Sequence, residues 1–259
     1  MKALMFTNEF PPYTYGGAGA HVEYLSRELS KLLPIEVRCF GDQQVEQGNL
    51  KVHGIPLGEM PMGAPKPLHS VFGAVQRCWK MNADGLDADL VHCHTWYTHL
   101  GGILAKLNYG IPLVITTHSL EPLRPWKREQ LAGGYDFSLW VEKTALEMAD
   151  AIIAVSEGTK ADILKLFQVP EERVHVIHNG IDLQEFQKVK SQEVLTRYGI
   201  PPGQPYVLFV GRITRQKGII YLINALSYLD EEFPIVLCAS SPDTPAMAAE
   251  MKEALDQAS

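Results

Sequence analysis

The feature that most constrains this chain is a regular alternation, between residues 90 and 177, of short apolar runs with segments of helical periodicity. Leu90-Val-His-Cys, Leu113-Val-Ile-Thr-Thr and Ala151-Ile-Ile-Ala-Val have strand length. The stretches 98–109, 137–149 and 157–167 between and after them carry apolar residues three and four apart. Ser156 stands where the last of these helices needs an N-cap, and 174–177 closes the series as a further strand. Strands that are apolar almost throughout are covered on both faces, and strands that alternate with helices run parallel through right-handed crossovers. The chain is therefore expected to be an α/β protein with a Rossmann-like parallel sheet. The N-terminal part follows the same pattern: a strand at 2–7, a helix at 20–33 carrying Val22, Leu25, Leu29, Leu32 and Leu33, a strand at 35–40 and a helix at 68–81. Between the last two, 42–67 is irregular and rich in Gly and Pro, with one short strand expected at 50–55.

After residue 182 the pattern breaks into a polar stretch ending in Pro201-Pro-Gly-Gln-Pro205, then resumes with a strand at 206–210, a helix at 218–229, a strand at 235–239 and a helix at 246–255. The expected organisation is a first Rossmann-like domain over 1–182, a linker over 183–205 and the beginning of a second such domain over 206–259. Two βα units leave too much of a two-stranded parallel sheet uncovered, so the second domain reads as incomplete. A formal charge of −7 without a Lys/Arg run longer than two argues against nucleic acid as a partner. No apolar stretch approaches membrane-spanning length. Four cysteines without a C-x-x-C pair suit a reducing compartment, so a cytoplasmic location is expected.

In an open parallel sheet ligands bind beyond the carboxyl ends of the strands. The residues found there are unusually polar. The first strand is followed by Glu9 and the turn Gly16-Gly17-Ala18-Gly19, the run at 90 by His94-Thr95-Trp96-Tyr97, and the run at 113 by His118-Ser119. The strand at 174 leads into His178-Asn179-Gly180-Ile181-Asp182, and that at 206 into Gly211-Arg212-Ile213-Thr214-Arg215-Gln216-Lys217-Gly218. A glycine turn entering a helix suits a phosphate, because backbone N–H groups and the positive helix end face the anion; a plain strand-to-helix connection is the alternative. Arg212 and Lys217 flank a second such turn and suit a diphosphate, the alternative being a solvated basic loop. His92 and His94 share one strand face and, with His99, form a conceivable metal set, but no Cys or carboxylate completes it and no metal is expected. Glu9, Glu121 and Asp182 show no pairing of the kind that retaining hydrolysis uses. The first loop lacks G-x-G-x-x-G, which argues against a nicotinamide cofactor.

The stretches EFPPYTYGGAG, HCHTW, THSLEP, VSEGT, HNGID and FVGRITRQKG, in this order from residue 9 to residue 218, resemble the glycogen synthase-like retaining glucosyltransferases of the GT-B fold. The resemblance implies two Rossmann-like domains, the first offering the acceptor surface and the second holding a nucleotide-sugar donor. It implies His118 as the catalytic histidine against the donor sugar, with Gly16, Gly17, Asn179, Arg212 and Lys217 on the donor and its diphosphate, and Glu9 and Trp96 toward sugar or acceptor. No cofactor or metal is implied, because the departing diphosphate itself helps to deprotonate the acceptor. The expected reaction moves glucose from ADP-glucose, or UDP-glucose, to an α-1,4-glucan in glycogen synthesis.

Alternatives are a related transferase with another sugar or acceptor, such as one making maltose 1-phosphate or a sucrose-type product, and a non-catalytic glucan- or nucleotide-binding fragment. Two departures bear on the acceptor: Thr14 stands where the best-known branch has a lysine, and Thr95 where it has an aspartate. The family's acidic motif of two glutamates seven residues apart is not found in 240–259. A truncated chain with little activity alone is therefore expected.

Overall fold

The computed structural model describes residues 1–60, 63–189, 191–201, 203–228 and 234–258. Lys190, Pro202 and Leu229, which the sequence reading placed in the linker, the breaker cluster and a helix end, lie outside the described residues. The chain separates into two compact units, Met1–Ile181 and Asp182–Ser259.

The first unit contains strands β1 (Ala3–Thr7), β2 (Ile35–Phe40), β3 (Gln44–Gln47), β4 (Leu50–Ile55), β5 (Leu90–His94), β6 (Leu113–Thr117), β7 (Ala151–Ala154) and β8 (Val174–Val176). Its helices are α1 (Gly17–Leu29), α2 (His69–Ala83), α3 (Trp96–Tyr109), the single turn α4 (Arg128–Leu131), α5 (Gly134–Met148) and α6 (Glu157–Leu166). The sheet order is β3-β4-β2-β1-β5-β6-β7-β8. All pairings are parallel except β3 with β4.

Side-chain alternation along β1 explains why the run is apolar throughout. Leu4 and Phe6 join Val91, Cys93, Leu113 and Ile115 in one core, which includes Ile103 of α3 and Ala145 and Leu146 of α5. Ala3 and Met5 join Ile35, Val37 and Val52 on the opposite face, under Val22 of α1. Each large apolar side chain taken from water contributes about 1.5–3 kcal/mol, so the strands are mainly apolar, and Thr7, His92, His94, Thr116 and Thr117 are the buried polar residues on β1, β5 and β6. Close approach of α3 to the sheet depends on Gly102, where a Cβ would stand 2.5 Å from Cys93 Sγ. Ser156 caps α6 as expected, accepting the Thr159 N–H at 3.0 Å.

Chain order places β2, β4 and β3 to one side of β1, and β5 to β8 to the other. The sheet therefore changes direction between β1 and β5. That is the crevice where doubly wound sheets bind ligands.

The second unit comprises α7 (Gln192–Arg197), β9 (Val207–Gly211), α8 (Ile219–Ala225), β10 (Ile235–Ala239) and α9 (Pro245–Ala258). β9 and β10 pair in parallel, and Ile213, Ile219, Ile223, Met247 and Ala254 form its core. Leu208, Val210, Ile235 and Leu237 on the strands are exposed. Among the described residues no helix is long and apolar enough to cross a membrane.

Candidate active site

The loop leaving β1 is organised by Glu9. Its Oε2 accepts the Tyr15 N–H at 2.9 Å and the Gly16 N–H at 2.7 Å, while Oε1 accepts Asn8 Nδ2 at 3.4 Å. The resemblance puts Gly16 against the donor diphosphate, but in this structure a side chain of the same loop takes its N–H. Helix α1 begins at Gly17, three residues before the expected start, because the glycine run continues into the first helical turn. Gly19 is the position that needs a missing side chain: a Cβ there would lie 2.9 Å from Glu9 Cβ and 3.1 Å from Glu9 Oε2. Gly17 has open space around it.

Across the crevice, β5 ends at His94 and the chain turns at Thr95, whose φ of 66° and ψ of 153° lie in a region that only glycine populates readily. The Thr95 hydroxyl donates to Asn8 Oδ1 at 2.6 Å. That bond ties the β1 and β5 loops together at the point where the sheet changes direction.

Four histidines gather on one face of the sheet around the end of β5. His92 and His94 alternate with the buried Val91 and Cys93, so their rings lie on the face that carries Met5, with centres 4.3 Å apart. His92 Nε2 meets Thr116 Oγ1 at 2.7 Å, and His94 Nδ1 meets His118 Nε2 at 3.1 Å. His21, one turn into α1, sets its ring 4.8 Å from that of His118, edge-on. Burial, reinforced by neighbouring imidazoles, pushes His92 down to about 3 and His118 down to about 4, and holds His94 well below the ordinary histidine range. His21 is lowered by burial, against which a hydrogen bond that its ring donates to the Asn179 side chain acts. At neutral pH these rings are uncharged. His118 can therefore accept or donate a hydrogen bond but cannot supply a cation or a readily lost proton.

The loop after His118 rests on a buried acidic pair. Glu121 and Glu142 are both buried. Glu121 Oε1 accepts Lys127 Nζ at 2.9 Å and Arg124 at 3.4 Å, and its Oε2 accepts the Ser138 hydroxyl at 3.3 Å. Glu142 Oε2 accepts the Glu121 N–H at 2.8 Å. Burial first, and the Glu121 carboxylate second, push Glu142 up to about 8.

Trp96 lies elsewhere than expected. It occupies the first position of α3 and is only 3% exposed, packed with Val71, Ala74, Leu131 and Tyr135 and stacked on Tyr97 at 4.1 Å. An indole enclosed in this way presents no open face to a sugar. Asn179 is exposed beyond β8. In the second unit, Arg212 follows β9, and Lys217 ends a 3-10 turn (Arg215–Lys217) closed by Gly218 in the left-handed region, φ 68°. Lys217 is exposed and Arg212 half-buried.

The model of glycosyltransferase family 4 matches residues 15–185, about two thirds of the chain. The chain belongs to glycosyltransferase family 4. Along 99% of its length it is 44% identical to an alpha-maltose-1-phosphate synthase of Mycolicibacterium smegmatis, and along 98% it is 41% identical to one of Mycobacterium tuberculosis; it spans 65% of each relative. Its fold matches that of a sucrose-phosphate synthase from Thermosynechococcus elongatus with a TM-score of 0.77 at 18% identity, covering 100% of this chain and 68% of that one. The GT-B architecture expected from the sequence is thus the architecture of this glycosyltransferase family 4 chain.

Of the gathered set, His21 and the pairing of His94 with His118 carry little signal in the sequence. His21 is one polar residue on an amphipathic helix, and the pairing of His94 with His118 joins residues 24 apart. His99, weighed with His92 and His94 as a possible ligand, is 3% exposed and buries both ring nitrogens without a partner among the described residues.

Proposed function

We propose that the protein is a retaining glucosyltransferase that passes glucose from a nucleoside-diphosphate glucose, ADP-glucose in the first instance, to glucose 1-phosphate, giving α-maltose 1-phosphate. The supporting observation is the 44% and 41% identity, along nearly the whole chain, to two proteins named for that product. It favours the sugar-phosphate acceptor over the α-1,4-glucan of the primary sequence reading. His118 is assigned to the donor sugar, where a neutral imidazole hydrogen-bonds a hydroxyl without adding charge. Arg212 and Lys217 are assigned to the diphosphate, where stabilising the departing anion lowers the barrier, and Asn179 and the Gly16-Gly17 turn to the same donor.

The test supplies the protein with ADP-glucose or UDP-glucose and offers glucose 1-phosphate or glycogen as acceptor, with products resolved by NMR. Maltose 1-phosphate is the expected product. Transfer to glycogen alone would restore the glucan reading, and binding of glucan without transfer would support a non-catalytic module. In an active protein, His118→Ala is expected to lower kcat at least tenfold with an unchanged melting temperature, because the side chain stands at a strand's end. Wild-type kcat in that variant would remove His118 from the reaction.

A further inference from the structure

Three imidazoles from three separate elements close on one point at the carboxyl end of the sheet. One nitrogen from each of His21, His94 and His118 lies within 4.8 Å of the others, and the His94–His118 pair is already at 3.1 Å. Their ring centres are 4.8, 5.4 and 5.6 Å apart. Three imidazoles bound to one tetrahedral zinc, with Zn–N of about 2.0–2.1 Å, place ring centres about 5 Å apart and ligating nitrogens about 3.4 Å apart. We propose that His21, His94 and His118 form a binding site for a divalent transition metal, zinc(II) the expected occupant, with the fourth coordination position open.

The donor set decides the class of ion. Three neutral nitrogens and no carboxylate select zinc, copper or nickel over magnesium or calcium, which take oxygen ligands. His21 Nε2 is buried without a hydrogen-bond partner among the described residues, and His94 Nδ1 faces His118 Nε2, so at His21 the cluster holds bonding capacity that the protein leaves unspent. His94 is fully buried on its strand, whereas His21 on α1 and His118 on a loop are partly exposed and supply the approach. Drawing the widest pair from 4.8 Å to ligand spacing asks only for side-chain rotation on those two outer elements. A metal held this way engages His118 and so opposes the sugar contact assigned to it above; binding itself needs no part of that assignment.

The experiment uses the intact chain after chelator treatment and removal of the chelator. Zinc(II) is titrated by calorimetry, and cobalt(II) by the visible bands of a tetrahedral site. One equivalent of each is expected to bind, at least tenfold more weakly in His21→Ala and in His118→Ala, with far-UV dichroism unchanged. The double variant His53→Ala/His175→Ala, which removes histidines outside the cluster, is expected to bind as wild type does. Cobalt bands equally strong in His21→Ala and His118→Ala, or no saturable binding by the wild type, would overturn the proposal. Neither readout depends on transfer of sugar, so a failed transferase assay leaves it standing.

Discussion

Glu142 offers a sharp test of the electrostatics beneath the His118 loop. Its carboxyl is pushed up from 4.5 to about 8 by burial and by the neighbouring Glu121, so the folded chain keeps a proton that the unfolded chain releases near pH 4.5. Stability then falls as pH rises from about 4.5 to about 8 and is level in this respect above it, because only within that window does the folded state bind the extra proton. At about 1.36 kcal/mol per pH unit, the loss is about 3 kcal/mol at pH 7 and about 5 kcal/mol when complete. Glu142→Gln reproduces the shape of the neutral acid and keeps an oxygen to accept the Glu121 N–H. The variant is expected to match wild type near pH 4.5 and to exceed it increasingly toward pH 8. Urea unfolding followed by tryptophan fluorescence suits the purpose, because Trp79, Trp96, Trp126 and Trp140, all the tryptophans of the chain, lie in the first unit. A Gln variant offset from wild type by the same amount at every pH, or not at all, would refute the reasoning.

Gly19→Ala forces a methyl to within 2.9 Å of Glu9 Cβ and is expected to cost about 1–3 kcal/mol; the cost should shrink when Glu9 is also replaced by Gly, and an equal cost in both backgrounds would place the clash elsewhere. Thr95→Gly and Thr95→Ala both lose the bond to Asn8, but only Gly relieves the positive φ, so Gly should be the more stable by about 1–2 kcal/mol in thermal or urea unfolding. An Ala variant as stable as Gly would mean the conformation carries no strain. Arg212→Ala and Lys217→Ala, in an active protein, should each lower kcat/KM for the donor by about 10- to 100-fold, as expected for loss of a charge-assisted bond, and an unchanged value would take that residue out of the donor site.

The sheet was legible because a strand buried on both faces is mainly apolar, and β1, β6 and β7 are so in the sequence, polar only at the threonines that end β1 and β6. β3 escaped because Gln44-Val-Glu-Gln is exposed throughout and is held only by antiparallel pairing to β4. A strand with no buried face leaves no hydrophobic pattern. The candidate site was legible as a set of loops, since position after a strand is a property of chain order. Its internal wiring was not. Glu9 reaches seven residues ahead to Gly16, and Glu142 twenty-one back to Glu121. His92, His94 and His99 drew notice by nearness in sequence, whereas the rings that converge are His21, His94 and His118, from a helix, a strand and a loop. Trp96 illustrates the same limit: a tryptophan after a strand suggested a platform, but starting a helix there turned the indole inward between α2 and α5.

The Glu9 carboxylate has a further consequence for the glycine turn. It acts as a tethered rival to any incoming anion, present at a fixed and high effective concentration and engaged with the same Gly16 N–H that a phosphate would use. A phosphate bound there, as proposed above, would have to offer the turn more than one carboxylate oxygen already does, which would favour a multiply charged anion over a single weak one. Any selectivity of this end of the sheet would thus rest on what already fills it as much as on the groups that line it.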